Sequence, residues 1–298
     1  MEEGIDPRAA PINKIADFLI ALFDKGRSIS TIRGYRSAIA AVHVDGSSVS
    51  NSVTLGKLIR ALFLKRPPTR KLLPSWSLPR VLEALAKPPY EPLGEASFKN
   101  VTIKTVFLIA IASGQRRSAL HALSAAPGHV RWERGGVRLL PAPSYIAKNQ
   151  TASSGPVEIF LQPLSAHSSI VEDKVWCPVR ALKFYWHRSQ QKRSGDQLFI
   201  TTKEPFGPAS RDTISRWIVE AIKAAGPDAL TPDTTPHAHD TRSISTSWAL
   251  FQGVPIEEIH RAAYWRTPNS FISFYLKDIP AAVPSFSRAA LAAAAGTA

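Results

Sequence analysis

The sequence holds one cysteine and one methionine in 298 residues, and its acids are few beside its bases, 23 Asp plus Glu against 37 Lys plus Arg. A lone Cys177 excludes an internal disulfide framework and every multi-cysteine zinc pattern. Long apolar runs are missing too. The longest, "TVFLIAIASG" from Thr105, is about half of the ~20 residues that a membrane-spanning helix needs, so it reads as a core helix. There is no glycine-rich phosphate loop, no D-x-D pair and no repeat of fixed period. The opening "MEEGIDPRAAP" is acidic and polar, unlike a secretory leader, and a reducing intracellular compartment is the expected one.

What is present is an ordinary core and an excess of positive charge. Hydrophobic residues make up 44% of the chain, enough for a packed interior, and the formal net charge is +14. A basic globular protein attracts polyanions, nucleic acid first. A membrane surface would call for a basic amphipathic helix or an apolar span, and no membrane partner is expected.

The hydrophobic periodicity predicts a mainly α fold with a small antiparallel β-sheet. In "PINKIADFLIALFDKG", Ile15, Phe18, Leu19, Leu22 and Phe23 follow the 3.6-residue period, and Gly26 ends the helix. "SISTIRGYRSAIAAVH" restarts it, with Ser30 as the expected N-cap. "VTLGKLIRALFLKR" is a third helix, so residues 1–66 form a helical domain. Residues 67–75 belong to a proline-rich basic linker, "KRPPTRKLLPSW". Residues 76–298 form a larger domain, helical except for "VRLLP" and "VEIFLQ", which read as two strands with an exposed hairpin between them.

Four stretches carry candidate chemistry. In "HAHDTRSISTSWAL", a helix starting near Thr235 puts His239 and Arg242 on one face, where a guanidinium fork and a proton carrier meet the same group. A metal reading would use His237, His239 and Asp240, but residues two apart on a helix point to nearly opposite sides, and no further His or Cys cluster completes a shell. In "SGQRRSALHAL", Arg116 follows Gly114 at the end of the apolar helix, a place suited to an anion clamp. Lys148 in "YIAKNQ" sits in the hairpin, from which it can reach a neighbouring cleft. In "AYWRTPNSFISFYLKD", Trp265 and Tyr275 flank a short amphipathic helix, and this segment alone favours Tyr275 as core, with Phe271 and Phe274 on related faces.

These pieces follow an order: arginine after a core helix, lysine in a hairpin, H-x-x-R, Trp, then Tyr. That order resembles the tyrosine recombinase (phage integrase) family over nearly the whole chain, and most of all the recombinases of DIRS-like and Ngaro-type retrotransposons. The resemblance implies an N-terminal helical core-binding domain, an α+β catalytic domain, and site-specific DNA cleavage and rejoining through a 3′-phosphotyrosine. It implies Tyr275 as nucleophile, Arg116 and Arg242 on the scissile phosphate, Lys148 as proton donor to the leaving 5′-oxygen and His239 in proton transfer. Trp265 stands where many members have histidine. A tyrosine phenol, with an ordinary pKa of about 10, needs such a setting to attack at neutral pH. No cofactor and no metal is implied.

The implied partner is double-stranded DNA, bound as a homotetramer on two sites by a chain that is monomeric when free, and the nucleus is the implied location. Candidate backbone contacts are Ser30, Thr31, Arg33 and Arg36 in the first domain and Lys65, Arg66, Arg70 and Lys71 toward the linker. The tail "SRAALAAAAGTA" could dock on a neighbouring subunit. One departure stands out: the family's usual acidic residue three after the first arginine is Ala119 here. A DNA-binding protein of the same fold with catalysis lost, and a metal-dependent hydrolase using His237, His239 and Asp240, are the alternatives.

Overall fold

The computed structural model describes residues 6, 8–67, 72–148, 150, 157–164, 174–265, 271–272 and 275–278. The chain divides into two compact units, Met1–Lys71 and Leu72–Ala298. Arg70, Lys71 and the alanine-rich tail lie outside the described residues.

The first unit is built from α1 (Ile12–Asp24), α2 (Ile29–Val42), α3 (Gly46–Asn51) and α4 (Val53–Lys65). Ile15, Leu19 and Phe23 of α1 pack on Ile29 and Ile32 of α2, Val49 of α3, and Leu55, Ile59 and Leu62 of α4. The apolar spacing expected for α1 thus makes its buried stripe, while Phe18 stays exposed and meets the Tyr35 ring edge-on at 5.8 Å. The N-cap of α2 is Ser28, not Ser30: Ser28 is extended and its Oγ accepts from the Thr31 backbone N–H at 3.1 Å. Both serines suit a cap, but Ile29 is buried, and starting the helix there puts it on the core face. Gly46 opens α3 where α2 passes close by, since a β-carbon there would run into the Ala40 carbonyl.

The second unit is organised around one helix. It contains α5 (Leu78–Leu85), α6 (Phe98–Ser113), α7 (Arg117–Ala122), β1 (Val130–Glu133), β2 (Gly136–Leu139), β3 (Ile159–Leu161), α8 (Pro178–Ser189), α9 (Arg211–Lys223), α10 (Asp240–Phe251) and α11 (Ile256–Ala263). Every residue of α6 from Val101 to Ala110 is buried. A helix apolar all round must be central, and α7, α8, α9, α10 and β3 all pack on it. Its end is set by Gly114, in the left-handed region with φ 58°.

The sheet is antiparallel in the order β1-β2-β3. Val137 pairs with Leu161 and Leu139 with Ile159, all four buried, while Arg138 faces out opposite Phe160 and bonds Glu133 (2.9 Å) and Glu158 (2.8 Å). The two expected strands contribute β2 and β3, and β1, "VRWE", adds a third. Its mostly exposed, charged sequence lacks clean alternation because it is an edge strand. The helix expected from Thr235 begins instead at Asp240, with His239 at its N-cap position.

One buried ionic cluster supports the centre. Lys104, fully buried on α6, donates to the Leu85 carbonyl (2.7 Å) and to Glu91 (2.5 Å), and Arg180 of α8 grips both Glu91 oxygens (2.7 and 3.1 Å). Burial alone would raise the Glu91 carboxyl, but bonds from Arg180 and Lys104 outweigh it and hold it below the ordinary range. Burial draws the Lys104 ammonium down against the pull of Glu91. Removing one member leaves an uncompensated buried charge, whereas replacing the pair with apolar groups need not. We therefore expect Glu91→Gln to cost about 3 kcal/mol or more in denaturant unfolding, and Lys104→Met with Glu91→Leu to recover much of that loss. Because folding lowers the Glu91 value, its contribution is complete above the unfolded value of about 4.3 and disappears as pH falls through the lower folded value.

Candidate active site

The site lies in the second unit, where the ends of α6 and α11 meet the start of α10. Arg242, in the first turn of α10, is 0% exposed. Its Nη1 donates to the Gly114 carbonyl at 2.7 Å and its Nη2 to the Ala263 carbonyl at 2.5 Å. Both carbonyls belong to helix ends, where acceptors are orphaned and the helix dipole is negative. One guanidinium therefore joins three helices and satisfies the C-terminal ends of two. Gln115 adds a parallel tie through its Nε2 to the Ala262 carbonyl at 2.5 Å.

Aromatic rings close over this cation. The Arg242 Cζ lies 4.3 Å from the centroid of the Trp265 ring and 5.4 Å from that of Tyr275. Trp265 and Tyr275 are 4.8 Å apart, Trp265 stacks on Phe271 at 5.1 Å, and His239 is 5.5 Å from Tyr275. Tyr275 is half-buried and so belongs partly to the small cluster of Ile259, Ala263, Trp265 and Phe271. Two buried donors in this group have no partner among the described residues: Nε of Arg242 and Nε1 of Trp265. Burying a donor unpaired costs about 1–3 kcal/mol, which an acceptor bound here would recover.

The charges agree with this crowding. Desolvation, followed by repulsion from Arg116, pulls the Arg242 pKa down, and the nearby Tyr275 phenol supports the cation; the guanidinium remains charged. His239 keeps an exposed edge, but loss of solvent on its inner side, then Arg242, Arg116 and Arg117, hold its imidazole below the ordinary value against the opposing pull of Asp240. The shift favours the uncharged imidazole, the form that can accept a proton.

The other expected residues sit around this centre. Arg116 holds the N-cap position of α7, half-buried, and lines a cavity of about 670 Å³ with Trp265, Gln115, Gln150, Glu158 and His260. Lys148 is exposed; its neighbour Ala147 lines the same cavity, one residue away. The structure thus gathers His239, Arg242, Trp265 and Tyr275 in contact, sets Arg116 within electrostatic reach of Arg242 and His239, and leaves Lys148 exposed. Ala119 is buried and brings no carboxylate.

Tyr145 was not picked out from the sequence. Its hydroxyl is 3.4 Å from Ser118 Oγ, and a tyrosine in an irregular loop has no pattern that signals this. For the hydrolase alternative, no group of three His, Cys, Asp or Glu among the described residues could hold a metal ion. Asp240 instead accepts from the His237 backbone and from Ser75.

In the first unit, Ser30, Thr31, Arg33 and Lys65 are exposed. Arg33 and Arg36 line a groove of about 530 Å³ with Arg60, a basic residue that no motif marked. Arg36 is partly committed, donating to the Val49 and Ser50 carbonyls. Arg66 lies 3.8 Å over the Phe23 ring and donates to the Phe23 (3.0 Å) and Arg27 (2.6 Å) carbonyls, which ties the end of α4 to the end of α1. Among the described residues, no helix is long and apolar enough to cross a membrane.

No protein-family model matches the sequence, and no curated protein matches it either. Solved structures do match in fold. An integrase of the Tn1549 transposon in complex with transposon right-end DNA aligns with a TM-score of 0.59 at 14% identity, over 97% of this chain and 88% of its own. XerH site-specific recombinase bound to a palindromic difH substrate aligns at 0.54 and 16% identity, over 99% of this chain and 73% of its own. A lambda integrase dimer bound to a COC′ core site aligns at 0.52 and 14% identity, over 96% of this chain and 68% of its own. At these identities the likeness is one of architecture: this mainly helical chain, with its three-stranded antiparallel sheet, has the tyrosine-recombinase fold.

Proposed function

We propose that this protein cuts and rejoins duplex DNA, with Tyr275 as the nucleophile. The observation that carries the reading is the contact cluster of Tyr275, Arg242, Trp265 and His239, with Arg116 beside it, assembled from segments far apart in sequence. A phosphodiester is the ligand that suits it: an anion with several acceptor oxygens, placed against buried guanidinium and indole donors in need of acceptors. In the reaction the phenolic oxygen bonds to phosphorus as the bond to the 5′-oxygen breaks. The phenol proton leaves through His239, and a proton returns to the 5′-oxygen from Lys148. The phosphodiester is exchanged for a phosphotyrosine, so rejoining needs no external energy source. Arg116 and Arg242 stabilise the added charge of the five-coordinate phosphorus.

The resemblance of "HDTRSISTSWA" and "YWRTPNSFISFYLKD" to DIRS-like and Ngaro-type recombinases supports a mobile-element role in the nucleus, with a tetramer on two DNA sites. Loss of catalysis with retained DNA binding is the second reading, and Ala119 favours it, because a buried alanine supplies no charge to steady Arg116.

Duplexes selected for binding from a random pool, then nicked so that the cleaved fragment diffuses away, separate the two. We expect a covalent protein–DNA adduct that Tyr275→Phe abolishes, that Arg116→Ala slows by about 10²–10³-fold, and that EDTA leaves intact. Binding with no adduct on any nicked duplex would establish the second reading. The acid limb of adduct formation should lie below the ordinary histidine value of about 6.5, because cleavage fails only when the depressed His239 value is crossed and the acceptor is protonated. In the first unit, Arg33→Ala should lower the slope of log affinity against log salt by about 1. Arg66→Ala should instead lower the unfolding midpoint of that unit, because its guanidinium serves the Phe23 and Arg27 carbonyls.

A further inference from the structure

The turn that carries His239 is held by a carboxylate outside the proposed catalytic set. Asp240 Oδ2 accepts two hydrogen bonds, from the His237 backbone N–H at 2.9 Å and from Ser75 Oγ at 2.7 Å. The same turn is closed by Asp240 N donating to the His237 carbonyl at 3.0 Å, with Arg242 N donating to the His239 carbonyl at 3.3 Å just beyond. His239 therefore lies inside a loop whose two ends are fastened through Asp240. The donor that completes the fastening, Ser75, is 165 residues away in sequence.

Ser75 is itself a fixed point. Its carbonyl accepts from the Thr231 backbone and from Thr234 Oγ1, each at 3.0 Å. Next to it, the Pro74 carbonyl accepts from Thr231 Oγ1 at 2.6 Å, and Trp76 is bridged to Leu230. The carboxylate also sits in the first turn of α10, where the helix dipole favours negative charge.

We propose that Asp240, anchored by Ser75, is the positioning carboxylate of this site, setting the place of His239 and Arg242 at the start of α10 and supplying the negative charge that Ala119 does not. The inference rests on the recombinase reading of the site. Arg242 and Asp240 from α10 and Arg116 and Arg117 from the start of α7 act on His239, the Tyr275 ring faces it at 5.5 Å, and Arg216, Glu220 and Lys223 of α9 line a pocket with it. Glu220 is paired with Lys99, and Asp240 is the acid whose pull on His239 opposes the three arginines.

Two substitutions separate its charge from its anchorage. Asp240→Asn keeps an acceptor oxygen and removes the charge; Ser75→Ala keeps the charge and removes the anchor. Histidine-resolved NMR titration of the whole DNA-free protein reads the charge effect without reference to activity. Asp240→Asn should move the His239 titration to lower pH, and the acid limb of adduct formation should move with it. Ser75→Ala should lower the adduct-forming rate by about tenfold at saturating DNA, the scale expected when a reacting group is displaced by a fraction of an ångström. DNA affinity should hold in both variants, and Ser75→Thr should restore the rate.

An unmoved His239 titration in Asp240→Asn would overturn the proposal. So would a wild-type rate in Ser75→Ala, or a rate loss there that Ser75→Thr fails to rescue. If the wild-type protein forms no adduct while the titration still moves in Asp240→Asn, the recombinase reading fails and the electrostatic coupling of Asp240 to His239 stands.

Discussion

The second unit depends on how a single buried cation is satisfied. A guanidinium with no solvent needs acceptors, and Arg242 finds them at the C-terminal ends of α6 and α11. These are carbonyls that their own helices cannot use. The same pair of bonds fixes the relation of α6, α10 and α11, and so it places Arg116 just past α6 and Trp265 just past α11. It leaves Nε of Arg242 without a partner, beside a tryptophan whose N–H is also unpaired. Two of its nitrogens hold the fold, and the third is the donor on which the proposed grip on a phosphodiester rests.

Around that cation the electrostatics point one way. Arg116 and Arg117 at the start of α7 and Arg242 in α10 all act on His239, and Arg117 and Arg242 each have partners of their own. Arg117 spends its charge on Ser215 and, more loosely, on Asp212. Arg242 is bonded to helix ends. The His239 pKa is lowered, which favours its uncharged form. This local excess of positive charge has the same sign as the chain's formal charge of +14, and a basic protein attracts polyanions.

Much of this was legible in the residues because it depends on local rules. The 3.6-residue spacing of Ile15, Leu19 and Phe23, the all-round apolar character of α6 and the stop at Gly114 are properties of short windows. The nearness of His239 to Arg242 also follows from their separation, although the helix starts later than the pattern suggested. Edge strand β1 and the true N-cap of α2 were missed. In the first case exposure removes the alternation that marks a strand; in the second, two serines satisfied the same rule and burial of Ile29 decided between them.

The sequence by itself determined the helical periodicity, the basic surplus and the order of residues that could attack, clamp and donate. Only the tertiary structure decided that Tyr275 lies against Trp265, that Arg242 turns inward to two carbonyls, that Arg66 serves packing and that Ser75 reaches Asp240. The physical reason is range. Periodicity and capping act within one or two turns of chain. The bonds that build this site join residues 21 to 165 positions apart, and chain folding alone selects which of the many possible partners are brought within 3 Å.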